Sequence, residues 1–307
     1  MPIEQLHIQQ FSHFELLAKQ VVEGFITGMH QSPFHGFSVE FAEHKLYNKG
    51  DSTRHIDWKL FARSEKLFLK RFEEETNLRC NIVIDNSSSM YYPKNKSNTS
   101  LTDLNKIGFA SYTAAAIIYL LQKQADAFGI TLFSNDIEQR TPIKSTVVHQ
   151  KMVFDILDKC MHTNTLNKTT NLAKSLHAIA ATQHKRSLIV LISDMLYADD
   201  ELQNILNALQ HMRHQKHEIL LIHVLDHATE LRFEFDATPH HFIDMETGVE
   251  VKCTPHQFKQ QYITRMQTQA HAIKEKCLGY KVDYIAADNA QSFNEVLVAF
   301  LIRRTKQ

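Results

Sequence analysis

The stretch Arg79-Cys80-Asn81-Ile82-Val83-Ile84-Asp85-Asn86-Ser87-Ser88-Ser89-Met90 decides how the rest of the chain is read. Its first six residues form a short, largely apolar run of the kind that becomes a buried strand. An aspartate follows directly, and hydroxyls stand two and four positions after it, at Ser87 and Ser89. In an open α/β sheet, ligands bind outside the carboxyl ends of the strands. One carboxylate and two hydroxyls on such a loop suit a hard divalent cation, which prefers oxygen ligands in an octahedral array. Further oxygens must come from neighbouring loops. Lys168-Thr169-Thr170-Asn171-Leu172, ahead of a helical pattern, and Ser193-Asp194, at the end of the next buried run, offer them. Taken alone, the serine loop has a simpler reading, as an aspartate capping the turn that follows it.

Outward from this stretch, the pattern from residue 78 alternates strands with helices. A helix is expected over about 103–124, strands over 128–133 and 137–143, and helices over 146–161 and 171–184. Leu188-Ile189-Val190-Leu191-Ile192 is continuously apolar, as a parallel strand buried on both faces requires. A helix over 199–216 and a strand over 218–225 come next. Two β segments, about 232–235 and 242–253, then interrupt the alternation, the second folded back at Asp244-Met245-Glu246-Thr247-Gly248. Pro255 opens a helix to about Cys277, and a strand over 281–285 and a helix over 290–303 follow. The Ser/Asn-rich stretch 94–100 is expected to be a flexible loop. The expected fold is α/β, a doubly wound, mostly parallel sheet with helices on both faces.

Ahead of it, Phe14, Leu17, Val21 and Phe25 recur at helical spacing, and 37–47 and 67–72 have strand character. The expected organisation is an N-terminal subdomain over 1–77 and a sheet domain over 78–307 with a β insertion at about 231–253.

Composition narrows the function. Lys plus Arg and Asp plus Glu both total 34, so the formal net charge is zero, which argues against a dedicated nucleic-acid binder. The 307 residues are 43% hydrophobic, enough for a substantial core. The longest apolar run, Ala114 to Leu121, is eight residues, against the roughly 20 needed to span a bilayer. The first residues, Met1-Pro2-Ile3-Glu4-Gln5-Leu6-His7, have neither the basic nor the apolar part of a signal peptide. Cys80, Cys160, Cys253 and Cys277 lie far apart and read as reduced thiols, so the expected location is cytoplasmic. Neither a Gly-x-Gly-x-x-Gly turn nor a phosphate loop is found, and Gly-x-Ser-x-Gly is absent too. His211, His214 and His217 fall at i, i+3 and i+6 among polar residues, which reads as a solvated helix face.

Asp85-x-Ser87-x-Ser89, a later threonine and a later strand-end aspartate together resemble the metal-ion-dependent adhesion site of von Willebrand factor A domains. The resemblance implies that Asp85, Ser87, Ser89, Thr170 and Asp194 hold one Mg²⁺ (or Mn²⁺) with a coordination position left for a partner's carboxylate. Relatives often carry two glycines in the threonine loop. Lys168 and Thr169 stand before Thr170 here, which leaves Thr169 as an alternative ligand and sets a lysine near the ion. A second block, Tyr47-Asn48-Lys49-Gly50-Asp51-Ser52-Thr53-Arg54-His55-Ile56-Asp57-Trp58, then Ala62-Arg63 and Phe72-Glu73-Glu74-Glu75, resembles the bacterial domain-of-unknown-function family 58. It departs at Ser52, where that family usually has an aspartate. The resemblance covers most of the chain and implies a binding protein working with a MoxR-type AAA+ ATPase, or its client, in assembling or activating other proteins.

Gly50, Asp51, Arg54, Asp57 and Trp58 admit two readings: charged pairs pinning the N-terminal subdomain to the sheet, or a partner surface anchored by the single tryptophan. The expected activity is non-enzymatic binding. The rival is a Mg²⁺-dependent phosphoryl-transfer hydrolase using Asp85, although Asp85-Asn86-Ser87 lacks the second aspartate such nucleophile loops commonly carry.

Overall fold

A computed structural model describes residues 13–30, 44–46, 68–70, 78–163, 168–183, 186–291 and 293–304. The chain divides into two compact units, one made of Met1–Ile26 with Leu78–Gln307 and one of Thr27–Asn77. In the smaller unit, strands β1 (His44–Leu46) and β2 (Phe68–Lys70) pair antiparallel. The described part of the helix α1 (His13–His30) up to Ile26 belongs to the larger unit rather than to a separate subdomain over 1–77. The reason is its apolar stripe. Phe14, Val21, Val22 and Phe25 are buried, and the Phe14 ring stacks on Tyr112 at 4.8 Å.

The larger unit holds a six-stranded sheet. Its strands are β3 (Arg79–Asp85), β4 (Ala127–Phe133), β5 (Ile137–Arg140), β6 (Leu188–Ser193), β7 (Glu218–Leu225) and β10 (Asp283–Asp288). Their order across the sheet is β10-β7-β6-β3-β4-β5, parallel throughout except for β5, which returns antiparallel beside β4. This is the expected doubly wound architecture. All six residues of β6 are buried, which fits its apolar run, and so are the last six of β3, the polar Asn81 and Asp85 included.

The helices are α2 (Lys106–Lys123), α3 (Val147–His162), α4 (Leu172–Thr182), α5 (Asp199–His214), α6 (Pro255–Gly279) and α7 (Asn294–Arg304). α5 shows why these segments are helical. Leu202, Ile205, Leu206, Leu209 and Met212 fall on one face and join the core with Ile189, Leu191, Ile219 and Leu221. Its first turn is acidic and its last basic, matching the helix dipole.

The connections place one point of the sheet apart from the rest. β3 leads through α2 to β4 on one side, while the chain later returns to β6 on the other side of β3. The strand order therefore reverses at the carboxyl ends of β3 and β6, where a crevice opens in such sheets. Asp85 and Ser193-Asp194 stand at those two ends.

Three expectations are corrected. Residues 232–235 are not a strand: a short turn of π-helix, His227–Leu231, follows β7, and Phe233 takes φ +49° and packs its ring on Tyr262 at 4.4 Å. The insertion's pairing is confined to β8 (His240–Ile243) and β9 (Glu250–Cys253). His217 is not on a solvated helix face, because α5 ends at His214 and His217 is buried before β7. The 94–100 stretch is anchored rather than loose, since buried Asn98 accepts from Asn105 N at 3.0 Å. Among the described residues, no helix is long and apolar enough to cross a membrane.

Candidate functional site

Asp85 ends β3 fully buried, and its two oxygens are committed to holding the strand-end loops. Oδ1 accepts from Ser87 N at 3.0 Å, which turns the chain into the 3₁₀ segment Ser88–Tyr91. Oδ2 accepts from Ser193 Oγ at 2.8 Å and Tyr197 OH at 3.2 Å. Ser88 locks the threonine loop to this one: its N–H donates to Lys168 O at 3.1 Å, and its Oγ accepts from Lys168 N at 2.8 Å. Asn86 fastens the other flank, donating to Glu138 at 2.7 Å and accepting from Tyr91 OH at 2.8 Å.

Of the five residues singled out from the sequence, Asp85, Ser87, Ser89 and Thr170 come together in one hydrogen-bonded network, and Asp194 stands on the neighbouring strand-end loop. Ser87 Oγ and Ser89 Oγ are 3.0 Å apart. Asp194 follows Ser193, whose Oγ donates to Asp85, and its charge reaches the Asp85 carboxylate. Thr170 Oγ1 lies 3.2 Å from Tyr197 OH, which in turn donates to Asp85. Thr170 thus faces Asp85 through one tyrosine, whereas Thr169 is exposed. The Lys168 ammonium pairs with Glu138 at 3.0 Å. Gly50, Asp51, Arg54, Asp57 and Trp58 lie outside the described residues.

The structure adds residues that the sequence reading did not assign to the site. Lys106, the first residue of α2, is fully buried, with Nζ 2.8 Å from Asp194 Oδ2 and 2.6 Å from Glu230 Oε1. His223 fixes the Asp194 backbone, donating from Nε2 to its carbonyl at 2.8 Å while Nδ1 accepts from Tyr284 OH at 2.8 Å. Glu246, on the β8–β9 turn, is half-buried, and its carboxyl feels the charges of Asp194 and Asp85. Tyr197 completes the list. None of these lies in a periodic pattern or motif that marks it, except that Glu246 belongs to the turn already noted.

Electrostatics follow from this crowding. Burial alone would discharge Lys106, but Asp194 and Glu230 override it and hold the ammonium above its ordinary range. Burial would likewise raise Asp194, yet Lys106 keeps it ionised below the usual carboxylate range. Burial, then the charge on Asp194, pushes Asp85 up to about 6. Glu246 is pushed up to about 7 by burial, then by Asp194 and Asp85. Burial pushes His223 down to about 4.

The donor set fits a small hard cation. Among the described residues, no three His, Cys, Asp or Glu side chains gather as a metal cluster, so hydroxyls are the principal ligands on offer. Ser87 Oγ and Ser89 Oγ face each other at 3.0 Å, and each hydroxyl oxygen has lone pairs to offer. The 3.0 Å Ser87–Ser89 separation also equals one edge of an octahedron with metal–oxygen distances of about 2.1 Å.

Several known proteins are similar to this chain. Uncharacterised proteins of Mycobacterium tuberculosis and Mycobacterium bovis are 26% identical over 214 residues, which is 69% of this chain. The chain spans 63% of the length of those relatives. Among solved structures, BatB from Bacteroides thetaiotaomicron is 14% identical, with 75% of this chain and all of that one covered and a TM-score of 0.47. The VWA domain of SpRpn10 is 11% identical, with 72% and 94% covered and a TM-score of 0.39. The profile of the protein family of unknown function DUF58 matches residues 43–272, three quarters of the sequence, and the chain belongs to that family.

Proposed function

We propose that this protein is a non-enzymatic protein-binding module whose strand-end site holds one Mg²⁺ or Mn²⁺ through Asp85, Ser87, Ser89, Thr170 and Asp194. The observation that supports the reading is that Asp85, Ser87, Ser89 and Asp194 stand on the two strand-end loops where the strand order reverses, with Ser87 Oγ and Ser89 Oγ 3.0 Å apart. A bound dication supplies a point of positive charge with an exchangeable coordination position, and a partner's Asp or Glu oxygen suits it. A MoxR-type AAA+ ATPase or its client is the partner this account expects. Asp85 is a poor candidate for a phosphoryl-transfer nucleophile, because Asp85-Asn86-Ser87 lacks the adjacent second carboxylate that such chemistry uses.

The test is affinity purification from the native cell with and without EDTA. The partner should be recovered with Mg²⁺, released by EDTA and lost with Asp85→Ala. A partner retained in EDTA but lost with Trp58→Ala would place the interface on the Gly50 to Trp58 block instead. Phosphoester turnover that disappears in Asp85→Ala would overturn the binding-module reading.

A further inference from the structure

The β8–β9 hairpin and the strand-end loops share a cleft of about 560 Å³, with Ser89 and Leu196 on the loop side. Much of its wall is aromatic. The Phe233 ring packs on Phe235 at 5.0 Å, on Phe242 at 5.9 Å and on Tyr262 at 4.4 Å, and all four line the cleft with Tyr92. Ile243, Val249 and Val251 add aliphatic surface from the hairpin and are 50%, 60% and 53% exposed. Monomeric proteins seldom leave contiguous apolar surface of this kind in water without a use for it.

Charge at the cleft is one-sided. Glu230 and Asp244 line it, and among the described lining residues there is no lysine, arginine or histidine. Lys106 is buried and shared between Asp194 and Glu230, which leaves that triangle one charge negative. Asp226, which accepts from Thr229 N and Oγ1 at 2.9 Å, and the exposed Asp244 add to this. Among the described residues no cation pairs with either. The chemistry such walls support is visible in Lys106 itself, whose ammonium lies 2.6 Å from Glu230 and 5.9 Å from the centre of the Tyr92 ring. An acidic side chain would be repelled here, and a purely apolar one would leave the negative field unanswered. A basic side chain meets both features, its stem on the aliphatic wall and its head among rings and carboxylates. Arginine suits the rings best, because its planar guanidinium stacks on aromatic faces.

We infer that this cleft docks an arginine side chain of a partner protein, held by the aromatic wall and the surrounding carboxylates. The inference goes beyond the ion site and needs no metal. Its test is therefore run in EDTA, where a failure of the cleft is a separate result from a failure of metal binding.

The test titrates N-acetyl-arginine amide into the purified full chain, with isoleucine and valine methyl groups labelled for NMR. The methyl signals of Ile243, Val249 and Val251 should shift saturably, and binding should weaken as salt is added. N-acetyl-citrulline amide, of the same shape but uncharged, and N-acetyl-norleucine amide should each bind roughly tenfold or more weakly. Asp244→Asn removes a charge while keeping an oxygen for the turn, and Tyr262→Leu removes a ring while keeping apolar bulk. Both should weaken arginine binding several-fold, and the remaining methyl signals show that each variant is folded. Citrulline or norleucine binding as tightly as arginine would overturn the inference in favour of a merely apolar pocket. Arginine affinity unchanged in both variants would overturn it as well, as would the absence of any saturable shift at the three hairpin side chains.

Discussion

Lys106 Nζ stands 2.8 Å from Asp194 Oδ2, and both side chains are withdrawn from solvent. The pair joins the first residue of α2 to the carboxyl end of β6, with Glu230 from the turn after β7 closing the triangle at 2.6 Å. Asp194 is thereby held charged at the crevice by a partner inside the protein. The arrangement leaves Asp85 and Glu246 as the carboxylates without an ammonium of their own.

Removing the lysine should be expensive. Lys106→Met leaves Asp194 and Glu230 buried without their shared cation, and breaking a buried ion pair from one side costs about 3–5 kcal/mol. Urea denaturation should show a loss of that order. A loss below about 1 kcal/mol would mean the triangle contributes little to the fold.

Gly108 controls how α2 begins. A Cβ built there would stand 2.3 Å from Asn98 Oδ1, the atom that accepts from Asn105 N. Asn105 caps the helix by accepting from Gly108 N at 2.9 Å, so the added methyl strikes the loop that sets Lys106 in place. Gly108→Ala should destabilise by about 1–3 kcal/mol in the same urea assay, as overpacking does. An unchanged midpoint would show that the loop yields freely.

The acid limb of stability has a separate reporter. His149 is buried, with Nε2 donating to Phe128 O at 3.0 Å, and burial lowers its pKa from 6.5. The native state therefore binds fewer protons than the unfolded chain once the pH drops below 6.5. The stability His149 contributes is whole above pH 6.5 and is lost as the pH falls towards its lowered native value, by up to about 1.4 kcal/mol per unit. Urea midpoints measured at two pH values, one on each side of 6.5, should fall less in His149→Gln than in wild type. Equal falls would contradict this.

Much of the fold was legible because its strands are written as local patterns. The apolar runs Leu188–Ile192 and Ile82–Ile84 need no tertiary information, since burial on both faces of a parallel sheet favours such runs. The same holds for Asp85, Ser87 and Ser89, which share one loop. Lys106, Tyr197, His223 and Glu230 were not legible. Each is a single side chain brought in by topology, with no neighbour in sequence to mark it. Phe233 and Phe235 misled for a related reason: their rings pack at 5.0 Å and 5.1 Å within an aromatic cluster that includes Phe242, so apolar character there reflects packing rather than strand pairing. Asn98 lies in a stretch whose composition resembles a loose loop, because its role, accepting from Asn105, depends on a helix start it does not adjoin.

The most direct measurement of the ion site is thermal unfolding in Mg²⁺ and in Mn²⁺ for wild type, Asp85→Asn and Ser89→Ala. Asparagine keeps the shape of Asp85 and can still accept at one oxygen, so loss of the metal effect separates from loss of the fold. A ligand that binds only the folded state stabilises it by about 2.7 kcal/mol at one hundred times its dissociation constant. The account predicts that the wild-type midpoint climbs with millimolar metal and returns in EDTA, while both variants stay level. Midpoints unmoved by metal in all three proteins would contradict the claim that these residues hold an ion.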